Sequence, residues 1–264
     1  MKAIVLLSVL FPLFFVSCKH TKPAGETEQE KQNTRELHKA LRDMQEANEK
    51  SFNEDGTISG DNKGIERVID VAKKMEDSST EEQAATGKLL RIWMTMMQRD
   101  NLEIQNNISL ITKGMEYGKI QSAEDIDKLS AMVNEYIKCN NGLTEKIRHG
   151  WLSEIRTKAK EENMEDDVIL DFVAGLKQGF GKLKPQLLEI RKTDDDLCTA
   201  ILEQHGVLKK HWGKWQWDED QGVPSFEEDA AIDAYNAAAQ KIQDAADAQA
   251  AAQKKVIEIQ KTIR

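Results

Sequence analysis

None of the four prolines in this 264-residue chain falls between Pro23 and Pro185. Proline fixes φ and removes a backbone donor, which costs about 3 kcal/mol or more in a helix interior. The proline-free stretch is also rich in Glu, Lys, Gln, Leu, Met and Ala, the residues that lose least on entering a helix. The expected fold is therefore all-α: an elongated bundle of long helices, with a small Trp-rich β-hairpin before a long Ala-rich C-terminal helix.

Apolar spacing places the elements. Leu37, Leu41, Met44, Asn48 and Phe52 step by four and three, predicting a first helix over Thr27 to Phe52. A short helix follows, with Ile65, Val68, Ile69, Ala72 and Met75 on one side. Ser78 to Glu82 supplies a cap and early acids for a third helix running to about Met115. Its RIWMTMMQ segment, Arg91 to Gln98, reads as core filling at helical spacing. Ser122 and Asp125 stand at capping-box spacing before a fourth helix that continues to Ile155, with Gly142 and Gly150 as points of bending. Val168 to Leu187 marks a fifth, whose Gly175, Gly179 and Gly181 suggest close packing or a kink near Pro185. Thr193 with Asp194 to Asp196 then predicts the cap of a sixth.

Lys209 to Phe226 breaks this grammar. Gly213, Trp215 and Trp217 alternate with Trp212, Lys214 and Gln216, the period of a strand, and Asp218 to Gly222 is turn chemistry. A hairpin is expected at about His211 to Phe226. Three tryptophans exceed what an isolated two-stranded ribbon can cover. Trp212, Trp215 and Trp217 are thus candidates for partner binding, or else they plug the end of the bundle. Ser225 and Glu228 predict a capping box for the last helix. Its best repeat, Ile232, Tyr235, Ala239, Ile242, Ala246, Gln249, Gln253, Val256, Gln260 and Ile263, reads as a heptad seam, packed within the chain or against another copy.

At the other end, Lys2 precedes an apolar run from Ala3 to Val16 and then Ser17-Cys18. The run is short for a membrane span, which needs about 20 residues, and reads as a processing segment. Phe15, Val16, Ser17 and Cys18 resemble the lipobox of bacterial lipoproteins, with Phe15 where Leu is usual. The resemblance implies diacylation of Cys18, cleavage before it and a lipid tether to a membrane. Lys19 in place of Asp implies sorting to the outer membrane. The organisation expected is a signal peptide over 1–17, a flexible tether over 18–32 and a single helical domain over 33–264. Cys139 and Cys198 then stand in a compartment where disulfides persist, and form either a bridge or two small core residues.

Chemistry-bearing patterns are sparse. The five histidines are scattered, and neither Gly-x-Ser-x-Gly nor Cys-x-x-Cys occurs. A formal charge of -9 argues against binding nucleic acid, which needs a surplus of Lys and Arg. Ser51 to Asn62 resembles a degenerate EF-hand calcium loop, with Asn53 and Asp55 as candidate ligands. Ser51 and Asn62 stand where its anionic anchors belong, which favours a plain connector. Trp215, Trp217, Gly222, Phe226, Tyr235 and Asn236 are similar to positions of a group of uncharacterised all-helical bacterial envelope lipoproteins. That resemblance implies a fold and an address but no activity. No enzyme, cofactor or resident metal is expected. The expectation is a membrane-tethered binding or scaffolding protein with a protein partner in the envelope; the alternative holds a small apolar molecule between its helices.

Overall fold

The first helix begins with a reciprocal cap. Thr27 Oγ1 accepts from Glu30 N at 3.3 Å, and Thr27 N donates to Glu30 Oε2 at 2.8 Å, so two orphan donors are satisfied at once. Ser78 Oγ, from the turn before the third helix, donates to Glu30 Oε1 at 3.0 Å. Hydrogen bonds from Thr80, Thr27 and Ser78 hold the Glu30 carboxyl well below the usual range. Residues 28–32, expected in a flexible tether, are therefore helical.

The structure is a computed structural model that describes residues 27–50, 62–114 and 117–262. It is all-α apart from one hairpin. The helices are α1 (Glu28–Lys50), α2 (Lys63–Glu76), α3 (Glu81–Gly114), α4 (Ala123–Glu145), α5 (Trp151–Glu161), α6 (Asp166–Lys210) and α7 (Asp229–Thr262). A 3₁₀ turn, Tyr117–Lys119, precedes α4, and strands β1 (Trp215–Asp218) and β2 (Val223–Phe226) precede α7. Among the described residues no helix is long and apolar enough to cross a membrane. Cys18 and the calcium-loop candidates Asn53 and Asp55 lie outside the described residues.

The chain divides into two compact units where one domain was expected. The hairpin unit takes Glu103–Thr144 and Gln186–Lys255; the N-terminal unit takes the described residues up to Leu102, Glu145–Pro185 and the chain from Val256. In the N-terminal unit α1 packs on α2. A Cβ at Gly87 of α3 would lie 2.6 Å from the Ala72 carbonyl oxygen, so only glycine permits this approach of α3 to α2. The Met and Trp residues of Arg91 to Gln98 are core, as their spacing implied: Trp93, Met94, Met96 and Met97 are all buried. Trp93 meets Trp151 edge-on at 5.7 Å, and Trp151 meets Phe180 at 5.5 Å.

Three boundaries differ from expectation. The helix after Ser122 is interrupted by a π turn at Lys146–Gly150, which ends at Gly150, while the space around Gly142 is open. The fifth and sixth predicted helices are one, α6, with Pro185 inside it. Proline leaves the carbonyl four residues back without its helical donor. That residue is Gly181, which like Pro185 is exposed, with open space at its Cβ position, so water can satisfy the carbonyl in place of the close packing expected there. Thr193 caps nothing; its hydroxyl donates back to the Ile190 carbonyl at 2.8 Å.

In α7 the buried positions are Ala231, Tyr235, Ala238, Ile242, Ala245, Gln249, Ala252, Gln253, Val256 and Ile257. From Ala231 to Ala252 they alternate steps of four and three, a heptad seam with alanine at every seventh residue. Of the predicted seam, Tyr235, Ile242, Gln249, Gln253 and Val256 are buried. At the other layers the buried residue is the alanine just before Ile232, Ala239 and Ala246, and Ile232 is left exposed, while Ala252 and Gln253 are both buried. Alanine at each of these layers lets α7 approach its neighbours more closely than isoleucine would.

Candidate interaction site

The hairpin is built from its turn outward. Asp218 Oδ1 accepts from the backbone N–H groups of Asp220 and Gln221, both at 3.0 Å, an Asx-type turn. Gly222, at φ +65°, takes the left-handed position and donates to the Asp218 carbonyl at 2.8 Å. The register pairs Trp215 with Phe226, Gln216 with Ser225, Trp217 with Pro224 and Asp218 with Val223. Ser225 therefore sits in β2 and does not cap α7. Glu228, its expected partner in the box, is turned instead to Lys214 at 2.7 Å and His211 at 3.6 Å. The Lys214 ammonium holds the Glu228 carboxyl below its ordinary range.

The strand period puts Trp215 and Trp217 on one face, and that face covers the core. Trp215 Nε1 donates to the Leu208 carbonyl at 2.9 Å, satisfying an orphan acceptor in the last turn of α6. Its ring packs with Phe226, which in turn meets Tyr235 of α7 at 5.5 Å. Trp217 stacks on Tyr117, centroids 6.1 Å apart and planes 13° from parallel. A Cβ at Gly118 would come within 3.0 Å of Trp217 Nε1, so the 3₁₀ turn is shaped to this ring. Trp212 differs. It lies edge-on to Trp215 at 5.5 Å and is 38% exposed.

Beneath the hairpin lies a directional chain of hydrogen bonds. The Ser130 hydroxyl donates to the Ile126 carbonyl at 2.8 Å, so its oxygen is left to accept from His205 Nδ1–H at 3.0 Å. His205 Nε2 then carries the lone pair and accepts from the Tyr117 hydroxyl at 3.0 Å. Burial pushes the imidazole down to about 4 and the Tyr117 phenol up. Tyr235, whose buried hydroxyl has no hydrogen-bond partner, is pushed up to about 12 by the same cause.

A second buried cluster ties α4, α6 and α7 together. Asp194 Oδ2 accepts from Tyr136 OH at 2.8 Å, and Oδ1 accepts from Gln249 Nε2. Arg191 Nη2 stands 2.9 Å from Asp194 Oδ2, too oblique for a hydrogen bond but an ion pair. Asn140 accepts from Arg191 Nη1 at 3.0 Å and donates to Asp195 Oδ1 at 2.7 Å. Burial pushes the Asp194 carboxyl up to about 6, opposed by Arg191, Tyr136 and Gln249, which all favour its ionised form. Burial also raises the Tyr136 hydroxyl and the Cys198 thiol. No disulfide joins Cys198 to Cys139; Cys198 is fully buried and Cys139 partly. The buried thiol takes the small core role that was the other expectation.

Asp194, Arg191, Tyr136, Asn140 and Gln249 are all buried, so this cluster fastens α4, α6 and α7 to one another. Among the described residues no group of three or more His, Cys, Asp or Glu is placed to hold a metal ion. The Asp194 cluster was missed because acids after Thr193 read as a helix start. The one available signal was Tyr136, Asn140, Leu143 on the predicted apolar stripe, where Asn is a polar residue in a core register. No protein-family model, curated protein or solved structure matches the chain.

Proposed function

We propose that the chain is a lipid-anchored lipoprotein of a bacterial envelope, sorted to the outer membrane, that binds or scaffolds a protein partner and performs no chemistry of its own. Trp212 carries this reading. Trp215 and Trp217 are committed to the fold by a hydrogen bond and a ring stack, whereas Trp212 holds a rigid, amphipathic ring at the surface. Exposed indoles of this kind are favoured at interface hot spots, where truncation costs about 2 kcal/mol or more. The lipobox-like Phe15 to Cys18 supports the address.

The test of recognition is cross-linking capture from native envelopes with wild type and Trp212→Ala. Loss of one stoichiometric partner at unchanged melting temperature is the expected result, and equal capture by both proteins overturns it. If apolar small molecules instead raise the melting temperature, the protein is a ligand carrier. The address is tested separately: Cys18→Ser should abolish lipid labelling, and wild type that does not partition into detergent rejects the anchor.

A further inference from the structure

A two-stranded ribbon has two outer edges, and in this one they are not equivalent. The Glu227 N–H donates to the Lys214 carbonyl at 3.1 Å, which makes 214 and 227 a hydrogen-bonded pair. By the register, Gln216 with Ser225 and Asp218 with Val223 are hydrogen-bonded pairs too. The residues between them, Trp215 and Trp217 on β1 and Pro224 and Phe226 on β2, turn their backbone groups outward. On β2 that edge is blunted, because Pro224 has no N–H to offer. On β1 it is complete. The N–H and C=O groups of Trp215 and Trp217 all point away from β2, and no described residue hydrogen-bonds to any of the four. We propose that this edge pairs with a second copy of the chain, β1 against β1 and antiparallel, across a two-fold axis at Gln216 that joins two hairpins into one four-stranded sheet. This inference stands apart from the proposed function.

The register selects the occupant. An axis at Gln216 sets Trp215 of each copy opposite Trp217 of the other, and so uses all four outward groups of both strands. An axis at Trp215 or Trp217 would call on Gly213 or Glu219 for its second pair. Gly213 stands at φ +81°, and both residues lie outside the strand. The axis at Gln216 also places Lys214 of each copy directly opposite Asp218 of the other. These face as a non-hydrogen-bonded pair, the closer cross-strand spacing, where opposite charges stabilise. The turn engages Asp218 through Oδ1, and the Lys214 ammonium has two hydrogens beyond the one given to Glu228. Lys214 and Gln216 are exposed, on the face away from the two indoles. Pro224 then ends the assembly at two copies, since both outer edges of the four-stranded sheet are β2. One short strand edge falls well below the ~1,200 Å² that a stable interface buries, so the pairing is transient and is read by trapping it.

At the axis, the two copies of residue 216 face each other with Cα atoms about 4.5 Å apart, within disulfide range. The full chain carrying Gln216→Cys, held at high protein concentration under mild oxidation, should give a covalent dimer tens of fold faster than wild type. Ser225→Cys is the matched control. Ser225 is exposed on the same face of the ribbon but would sit three strand spacings, about 14 Å, from its copy. Amide hydrogen exchange of the wild-type full chain reads the same contact without a new thiol. Protection of the Trp215 and Trp217 amides should rise several-fold with protein concentration, while that of Phe226 on the blunted edge stays constant. Self-pairing is refuted if Gln216→Cys cross-links no faster than Ser225→Cys, or if exchange at the two tryptophan amides is independent of concentration. Protection of those amides by added envelope extract, with no cross-link through Gln216→Cys, would put a foreign strand on the edge and refute it as well.

Discussion

In the hairpin unit Asp194 faces Arg191, a cation buried as deeply as itself, with side-chain exposures of 0% and 1%. In the N-terminal unit Asp100 is equally buried but is reached differently. Trp151 Nε1 donates to it from inside at 2.8 Å, and Lys146 and Arg99 come in from a surface where they remain 30% and 46% exposed. The same residue type is thus neutralised once by a dry pair and once by wet cations that keep part of their hydration. A dry pair gains little over a hydrophobic replacement, because two desolvation costs offset the attraction, yet it is costly to break. Wet cations can be removed one at a time, because water and the remaining partners take over.

The largest expected effect follows from that contrast. Arg191→Met leaves Asp194 buried with only neutral donors and should destabilise by about 3 to 5 kcal/mol. Lys146→Met, the equivalent change at Asp100, should cost under about 1 kcal/mol because Arg99 and Trp151 remain. Urea unfolding of the two variants checks the ratio, and equal losses would erase the distinction. Trp151→Phe lies between them. It removes the one buried donor to Asp100 while keeping the edge contacts to Trp93 and Phe180, for an expected loss of about 1.5 to 3 kcal/mol.

Much of this layout was legible in the sequence, for local reasons. The Ser122–Asp125 cap formed as its spacing implied, with Asp125 N donating to Ser122 Oγ at 3.2 Å, and the hairpin stands where the period changed from 3.6 to 2. These signals lie within a few residues of one another. The failures are tertiary. Asp194 to Asp196 matched the chemistry of a helix start, and nothing local says that Tyr136, Asn140 and Gln249, over fifty residues away, meet there and let α6 run on. Likewise the α7 seam could be drawn through Ile232, Ala239 and Ala246 or through the alanine before each. Hydrophobicity favours Ile232 at the first layer, and the alanine pairs at the next two offer no local contrast by which one helix alone could choose.

His205 and Asp194, both buried in the hairpin unit, give a pH prediction with opposed signs. The His205 value is depressed in the fold, so its stabilisation is full above 6.5 and is lost as pH falls towards 4. The Asp194 value is raised from 3.8 to about 6, so its contribution is full below 3.8 and is lost as pH rises through 6. Between pH 7 and 4.5 each amounts to about 2 kcal/mol, and they cancel. Global stability of wild type by urea unfolding should then be nearly flat over this window. His205→Gln should become more stable on acidification, and Asp194→Asn less stable. Parallel slopes in the two variants would mean that one of the sites is wet.

The smallest effect is expected at Trp212, and it sharpens the comparison for aromatic rings as the aspartates do for charge. Trp93 and Trp151 of the N-terminal unit are 3% and 2% exposed and close-packed, so truncation to alanine should cost about 3 to 5 kcal/mol each. Trp215 is partly buried but carries the hydrogen bond to the Leu208 carbonyl, and its loss leaves an acceptor unpaired beneath the hairpin, for about 2 kcal/mol or more. Trp212 has neither burial nor a hydrogen bond among its contacts here, only the edge of Trp215 at 5.5 Å, an arrangement worth about 0.5 to 1.5 kcal/mol. With part of that ring already in water, Trp212→Ala should shift stability by less than about 1 kcal/mol. A thermal melt of the single variants in one buffer orders the four residues. If Trp212 instead costs as much as Trp215, its ring is part of the fold's own packing and no longer free to be spent on a partner.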